Sequence, residues 1–528
     1  MRKKALPILA LLLVLVLIAG SLPMVFAQPA ERVMIEYMPG KDATVRNAVL
    51  AANGQIHHEL ARINTIAVSV TGRWAKRLAK DPNVVSIEAD PLRYLAGDPV
   101  ADGDPYLEEV MPWGIEAVQA PAVWDEGYLG EGVTVCVIDT GLYAAHEDLV
   151  GLPSIGGESQ VDDQWDFDGY GHGTHVVGTI GAVDNEIGVI GVSPGKVNVF
   201  MVKIFDNDGA WVNKAHASDL IEAAFICADN GANIISMSLS GTNKSGKERM
   251  AFEDLYAQGI LSVAAASNDG IEEYHYPASY DSVISVAAID SAYEYADFSQ
   301  FNDQVELAAP GVDVLSTLSY KSNVGLTVDG INYDANHVEY AAYGTASGPL
   351  ADGGMCLTTG AWEGQVVLCE RGDISFYDKV MNVQNSGGVA AVIYNNVPET
   401  LSATLGDGNS SAILAISISQ EDGQFLVANK TGLTADVEST VEVPGSGYEA
   451  WGGTSMATPH VSGVAALLWS ANPSWTNAQL REAMDMTALD LGDSGRDVHY
   501  GYGLVQAYDA LDYLMDLKPG QGPKGPNK

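Results

Sequence analysis

The sequence predicts an α/β fold, a mostly parallel sheet flanked by helices, with a small α+β unit in front and a mainly-β insert. Three observations carry this. From about residue 113, short apolar runs alternate with stretches of helical periodicity, the mark of repeated strand–helix–strand units. The run 133–138 is apolar almost without a break, as a strand covered on both faces should be. The helical stretches 219–230 and 249–258 each close on a glycine, Gly231 and Gly259, and each is followed by another apolar run.

Taken in order, residues 1–27 read as a signal peptide. Arg2, Lys3 and Lys4 form a positive start, 8–19 is apolar, and Val25-Phe26-Ala27 is a small-residue cleavage pattern. The apolar run is short for about 30 Å of hydrocarbon, so no stable membrane anchor is expected. Residues 28–107 hold the small α+β unit and a linker. Stretches 33–37, 65–70 and 84–88 alternate as strands, 42–53 and 73–80 read as helices, and 97–108 is rich in Asp, Gly and Pro. The main domain occupies 108–319 and 448–515. Its strands are expected at 133–138, 199–204, 234–239, 260–265, 283–288 and 305–307, and its helices at 172–183, 219–230, 249–258 and 454–469. Residues 320–447 break the pattern with short strands, turns and one helical stretch near 377–384. Residues 516–528, mostly Pro, Gly and Lys, read as a disordered tail.

Charge is divided unevenly. The chain holds 27 Lys and Arg against 68 Asp and Glu, a net −41; the first hundred residues carry +4 and the rest −45. An acidic bulk of this size argues against nucleic acid as a partner and suits cation binding. Four cysteines are too few for a disulfide scaffold. Cys356 and Cys369, thirteen apart, are a candidate pair in an oxidising compartment. Cys136, in an apolar strand, and Cys227, on an apolar helix face, read as buried free thiols.

Three motifs carry chemistry. In Val137-Ile138-Asp139-Thr140-Gly141 an apolar strand delivers a carboxylate at its C-terminal end, where catalytic groups of open α/β sheets gather. Gly171-His172-Gly173-Thr174-His175-Val176 opens a helix, and the flanking glycines leave room for a substrate backbone near His172. Gly452-Gly453-Thr454-Ser455-Met456-Ala457-Thr458-Pro459-His460 opens a long apolar helix, whose N-terminus places positive potential near Ser455. Pro459 is expected in the first turn, where its missing N–H costs little. Singly, each has an ordinary reading: a turn, a buried or metal-binding histidine, an N-cap. A zinc site on His172 and His175 lacks a third ligand in any zinc-type spacing.

Together, and in the order Asp, His, Ser, the motifs closely resemble the subtilisin family of secreted serine proteases, the subtilases. The likeness extends to Asn185-Glu186-Ile187-Gly188-Val189, Ser236-Met237-Ser238-Leu239, Tyr276-Pro277-Ala278 and Ala308-Ala309-Pro310-Gly311. It implies a secreted endopeptidase with Asp139, His172 and Ser455 as its triad and with Asn268 and the Ser455 N–H as oxyanion donors. It implies Ser238, Leu239 and Ser240 as one wall of the first substrate pocket and Gly209 on the opposite edge. Ser240 and Ser267 stand where relatives usually have glycine, and Ser267 is expected to narrow that pocket. It also implies Ca²⁺, held by Glu109, Asp148 and Asn185 with the carbonyls of Val183, Ile187 and Val189. By the same resemblance 31–96 is an inhibitory prodomain, removed on activation of the zymogen, and about 345–435 is a protease-associated domain. The expected partners are protein or peptide substrates and the chain's own prodomain. A narrow processing protease and a binding protein with a silent core are the competing readings.

Overall fold

The computed structural model describes residues 30–95, 98–101, 109–162, 164–206, 214–319, 321–339, 341–397, 401, 403–405, 410–442 and 447–517. The expected signal peptide, Gly209, most of the 97–108 linker and nearly all of the tail lie outside them. The chain divides into two compact units. One is Met1–Asp90 with Ser245–Lys247, the other Pro91–Lys244 with Glu248–Lys528.

In the first unit four antiparallel strands lie in the order Gln55–Leu60, Thr65–Thr71, Ala30–Tyr37, Val84–Ala89. Alternation along Ala30–Tyr37 turns Val33, Ile35 and Tyr37 to one face. There they pack with Val45 and Val49 of the helix Asp42–Ala51 and Leu78 of Gly72–Leu78. The strand Gln55–Leu60, rich in polar residues, had no apolar alternation to announce it.

The second unit is built on a seven-stranded sheet, parallel at every pairing. From one edge it runs Leu307–Pro310, Val283–Ile289, Leu261–Ala265, Ile234–Met237, Thr134–Asp139, Asn198–Lys203, Ile155–Ser159. The last of these contains two glycines and no apolar run, so sequence periodicity passes over it. The long helix Thr454–Ala471 packs against five of these strands and against the helix His172–Gly181. Nearly every residue of both helices is buried.

Within 320–447, nine strands form a further sheet, with apolar clusters centred on Val366, Leu368 and Val392 and on Val367, Cys369 and Ile393. Besides the expected helix, found at Phe376–Gln384, there is a second, Gln420–Asn429. Each is capped by a serine, Ser375 or Ser419, accepting from the backbone N–H three residues on.

Two expectations are corrected. Cys136 and Cys227 are not free thiols: they form a disulfide across 91 residues, alongside Cys356–Cys369. A strand and a helix far apart in the chain are brought face to face, which spacing alone does not reveal. Pro459 lies in the second turn of its helix, not the first, because the helix begins at Thr454.

Candidate active site

The strand Thr134–Asp139 ends with Asp139 fully buried. Its Oδ1 lies 2.7 Å from Nδ1 of His172, the first residue of the helix His172–Gly181. Oδ1 also accepts from the Thr140 N–H at 2.8 Å. The other ring nitrogen, His172 Nε2, is buried and has no hydrogen-bond partner among the described residues. His175, one turn on, faces away: its Nε2 meets the Glu449 carbonyl at 3.1 Å and its ring stacks on Trp451. Burial holds His175 neutral, with its pKa lowered to about 3.

The glycines beside His172 serve the protein itself. A Cβ on Gly173 would sit 2.1 Å from the Gly141 carbonyl, so glycine lets the helix close onto the Asp139-Thr140-Gly141 turn. Gly171, at φ +95°, reverses the chain into the helix. The room expected for substrate beside Gly173 is taken by backbone.

Asp168, not singled out from the sequence, organises this junction. Fully buried, it accepts from Thr140 Oγ1 (2.8 Å), Gly171 N–H (2.8 Å), Thr174 N–H (2.9 Å) and Thr174 Oγ1 (2.7 Å). It thereby caps the His172 helix from outside and holds the turn after Asp139. Burial raises its pKa, opposed by these four bonds. The only sequence signal was an Asp-x-x-Gly step before the helix, common in so acidic a chain.

Ser455 is the second residue of its helix. Its Oγ donates to the Ser238 carbonyl at 3.0 Å, and its own carbonyl accepts from Ser238 Oγ at 2.8 Å. Pro459 explains the second bond, since a proline four residues on has no N–H to offer the Ser455 carbonyl. The first-turn donors on either side of Ser455 are used. Thr454 N–H goes to Asn268 Oδ1 (2.9 Å) and Met456 N–H to the Gly453 carbonyl (3.0 Å), so the Ser455 N–H lies between two satisfied groups. Asn268 Oδ1 also accepts from Thr454 Oγ1 at 2.8 Å, which fixes its amide plane.

Ser238 is followed by the strand Leu239–Ser240. The two serines in glycine positions meet here: Ser240 Oγ donates to Ser267 Oγ at 3.0 Å, and Ser267 adopts φ +96°. On the far side an edge strand is formed by Ala215–His216; Gly209 is outside the described residues.

The expected cation ligands also converge. Asp148 Oδ1 accepts from Asn185 Nδ2 (3.0 Å) and its Oδ2 from Val189 N–H (2.8 Å), while Glu109 Oε1 accepts from Asn185 N–H (2.8 Å). Among the described residues the carbonyls of Val183, Ile187 and Val189 accept no hydrogen bond. Burial raises the pKa of Asp148, and burial, Asp184 and Asp148 all raise that of Glu109. Partly buried carboxylates whose ionisation is opposed, beside idle carbonyls, fit a hard divalent cation.

The family model for the subtilase family matches residues 130–353 and 399–503, and that for the PA domain matches 329–426. Subtilisin amylosacchariticus of Bacillus subtilis subsp. amylosacchariticus is 27% identical over 474 residues, 89% of this chain and 86% of that protein. Subtilisin DY of Bacillus licheniformis is 40% identical over 239 residues, 44% of this chain and 84% of it. Among solved structures, the psychrophilic subtilisin-like protease Apa1 of Pseudoalteromonas sp. AS-11 aligns with TM-score 0.51 and 35% identity, covering 77% of this chain and 98% of that one. Fervidolysin of Fervidobacterium pennivorans, a keratinolytic enzyme, shares the fold at TM-score 0.59 and 24% identity, over 94% and 62% of the two chains.

Proposed function

Because the chain belongs to the subtilase family and is a subtilisin-like serine protease with an inserted PA domain, we propose that it is a secreted endopeptidase activated by removal of its prodomain, with Asp139, His172 and Ser455 as its triad. The observation that carries this is the buried His172, anchored through Nδ1 on Asp139 and with Nε2 left over. A serine hydroxyl is a weak nucleophile at neutral pH and needs a base to take its proton as it attacks. In this reading Ser455 Oγ exchanges the Ser238 carbonyl for His172 Nε2 when substrate binds. It attacks the peptide carbonyl, and His172 passes the proton to the leaving amine. Asp139 holds the ring tautomer and stabilises the imidazolium. The Ser455 N–H and the Asn268 side-chain amide receive the oxyanion.

The peptide would lie along Ser238, Leu239 and Ser240 as an added strand, with Gly209 contributing on the opposite side. Ca²⁺ would be held by Glu109, Asp148 and Asn185 with the carbonyls of Val183, Ile187 and Val189, in a structural role. Residues 28–107 would be the prodomain and linker, 108–319 with 448–515 the catalytic domain, and 320–447 the insert. The leader at 1–27 and two disulfides support an oxidising, extracellular destination. Among the described residues no helix is long and apolar enough to cross a membrane.

Purified Ser455→Ala should remain joined to its prodomain, fail to cleave casein and resist fluorophosphonate labelling. Casein cleavage at the wild-type rate would reject the triad. Chelation should lower the unfolding temperature; an unchanged value would reject the ion.

A further inference from the structure

Residues 92–95 and 98–101 pair within the second unit as a bound peptide would. The strand Leu92–Leu95 lies antiparallel to Leu239–Ser240, with Leu95 opposite Leu239 and Tyr94 opposite Ser240. On its other side Arg93 and Leu92 pair with Ala215 and His216. Downstream, Asp98–Ala101 pairs antiparallel with Tyr448–Gly452, placing Asp98 opposite Gly452, three residues before Ser455. Leu95 and Asp98 therefore flank the proposed nucleophile along the chain. A substrate bound in the register that sets Leu95 opposite Leu239 would bring its next residue to the level of Ser238, the residue before the cut. In that register Arg93 occupies the place of the fourth substrate residue upstream of the cut.

Arg93 is fully buried, and so is Glu248, which receives it. Arg93 Nε donates to Glu248 Oε1 at 2.9 Å and Nη2 to Glu248 Oε2, a fork-to-fork pairing. Nη1 reaches the Leu92 carbonyl (2.8 Å), Nη2 the Asn243 carbonyl (3.3 Å), and Tyr280 Oη donates to Glu248 Oε2 at 2.8 Å. Gly241 clears the path: a Cβ there would lie 2.3 Å from the Leu92 carbonyl and 2.9 Å from Arg93 Nη1. The pocket is thus shaped and charged for a guanidinium. An apolar pair would fill the same volume without desolvating two ions, so packing alone does not call for this choice.

Building on the proposed cleft and nucleophile, we propose that Glu248, backed by Tyr280, is a specificity-determining residue that selects substrates with arginine at the fourth position before the cut bond. Arg93 is the first such arginine the pocket reads. Once the prodomain segment has left, Glu248 remains in a preformed pocket whose match is a planar cation. A neutral side chain would leave its buried carboxylate without a balancing charge. Lysine would supply charge without the fork.

The test uses full-length protein after its own maturation and internally quenched peptides spanning 88–101. These carry arginine, citrulline or norleucine at position 93. Arginine should exceed citrulline in kcat/KM by about 10²-fold, since citrulline keeps the shape and loses the charge. In Glu248→Gln the ratio should fall to a few-fold. Equal cleavage of the three peptides by the wild type would overturn the proposal even if the variant failed to fold, as would an undiminished ratio in the variant. If neither the peptides nor casein were cut, the failure would lie in the protease reading on which the inference rests.

Discussion

Replacing Asp168 by asparagine tests how the histidine is held. The carboxylate accepts four hydrogen bonds, two on each oxygen. The amide keeps one oxygen, and its NH₂ must face two donors. Hydrogen bonds to a charged group contribute about 1.5–3 kcal/mol each, so two lost bonds cost about 3–6 kcal/mol. Relief of the buried charge, which already raises the pKa of Asp168, returns part of this. The net loss should be about 2–4 kcal/mol. For a unit on the order of 400 residues, the melting entropy converts that to a fall of about 2–5 °C in Tm. Because Thr140 and Gly171 are released together, kcat should fall about tenfold or more, with KM nearly unchanged. Calorimetry and peptide kinetics on matched samples would measure both. A Tm within 1 °C and a kcat within twofold of wild type would refute the reasoning. That outcome would mean Asp168 already carries a proton and donates one of these bonds.

Other outcomes follow from the same geometry. Cys136→Ala with Cys227→Ala opens a loop of 91 residues and should cost about 4–5 kcal/mol by chain entropy, read as a lower Tm; an unchanged Tm would contradict it. Ser240→Gly with Ser267→Gly removes the hydroxyl pair at the proposed first pocket, so cleavage after phenylalanine should rise about tenfold relative to alanine in kcat/KM. His460 is fully buried, and burial lowers its pKa to about 4, against about 6.5 unfolded. Unfolding therefore takes up a proton between those values, and this contribution to stability is lost as pH falls from about 6.5 to about 4. His460→Gln should flatten the stability–pH curve there by up to about 1.4 kcal/mol per pH unit; parallel curves would count against it.

What could be read before the structure was local. Asp139 stands at the end of an apolar run, His172 between glycines and Ser455 at the head of an apolar helix, so each announces itself within a few residues. The parallel sheet was legible for the same reason, except at Ile155–Ser159, whose glycines mask the strand. The rest depends on what the chain meets after folding. Asp168 is one aspartate among many until four donors converge on it. Cys136 and Cys227 look apolar because they are buried, and burial is also where a disulfide fits. Pro459 changes meaning with a shift of one turn. Glu248 sits in an ordinary helical stretch, and only the strand crossing it brings Arg93 within reach.

The reciprocal bonds between Ser238 and Ser455 have a mechanical consequence. Each residue holds the other's carbonyl, so the proposed cleft wall and the proposed nucleophile form one ring and share one reference point. A peptide aligned on Leu239 and Ser240 would be aligned on Ser455 through the Ser238 Oγ–Ser455 carbonyl bond, the one that outlasts the proposed turn of the Ser455 hydroxyl to His172. Thermal motion of the wall carries the nucleophile with it.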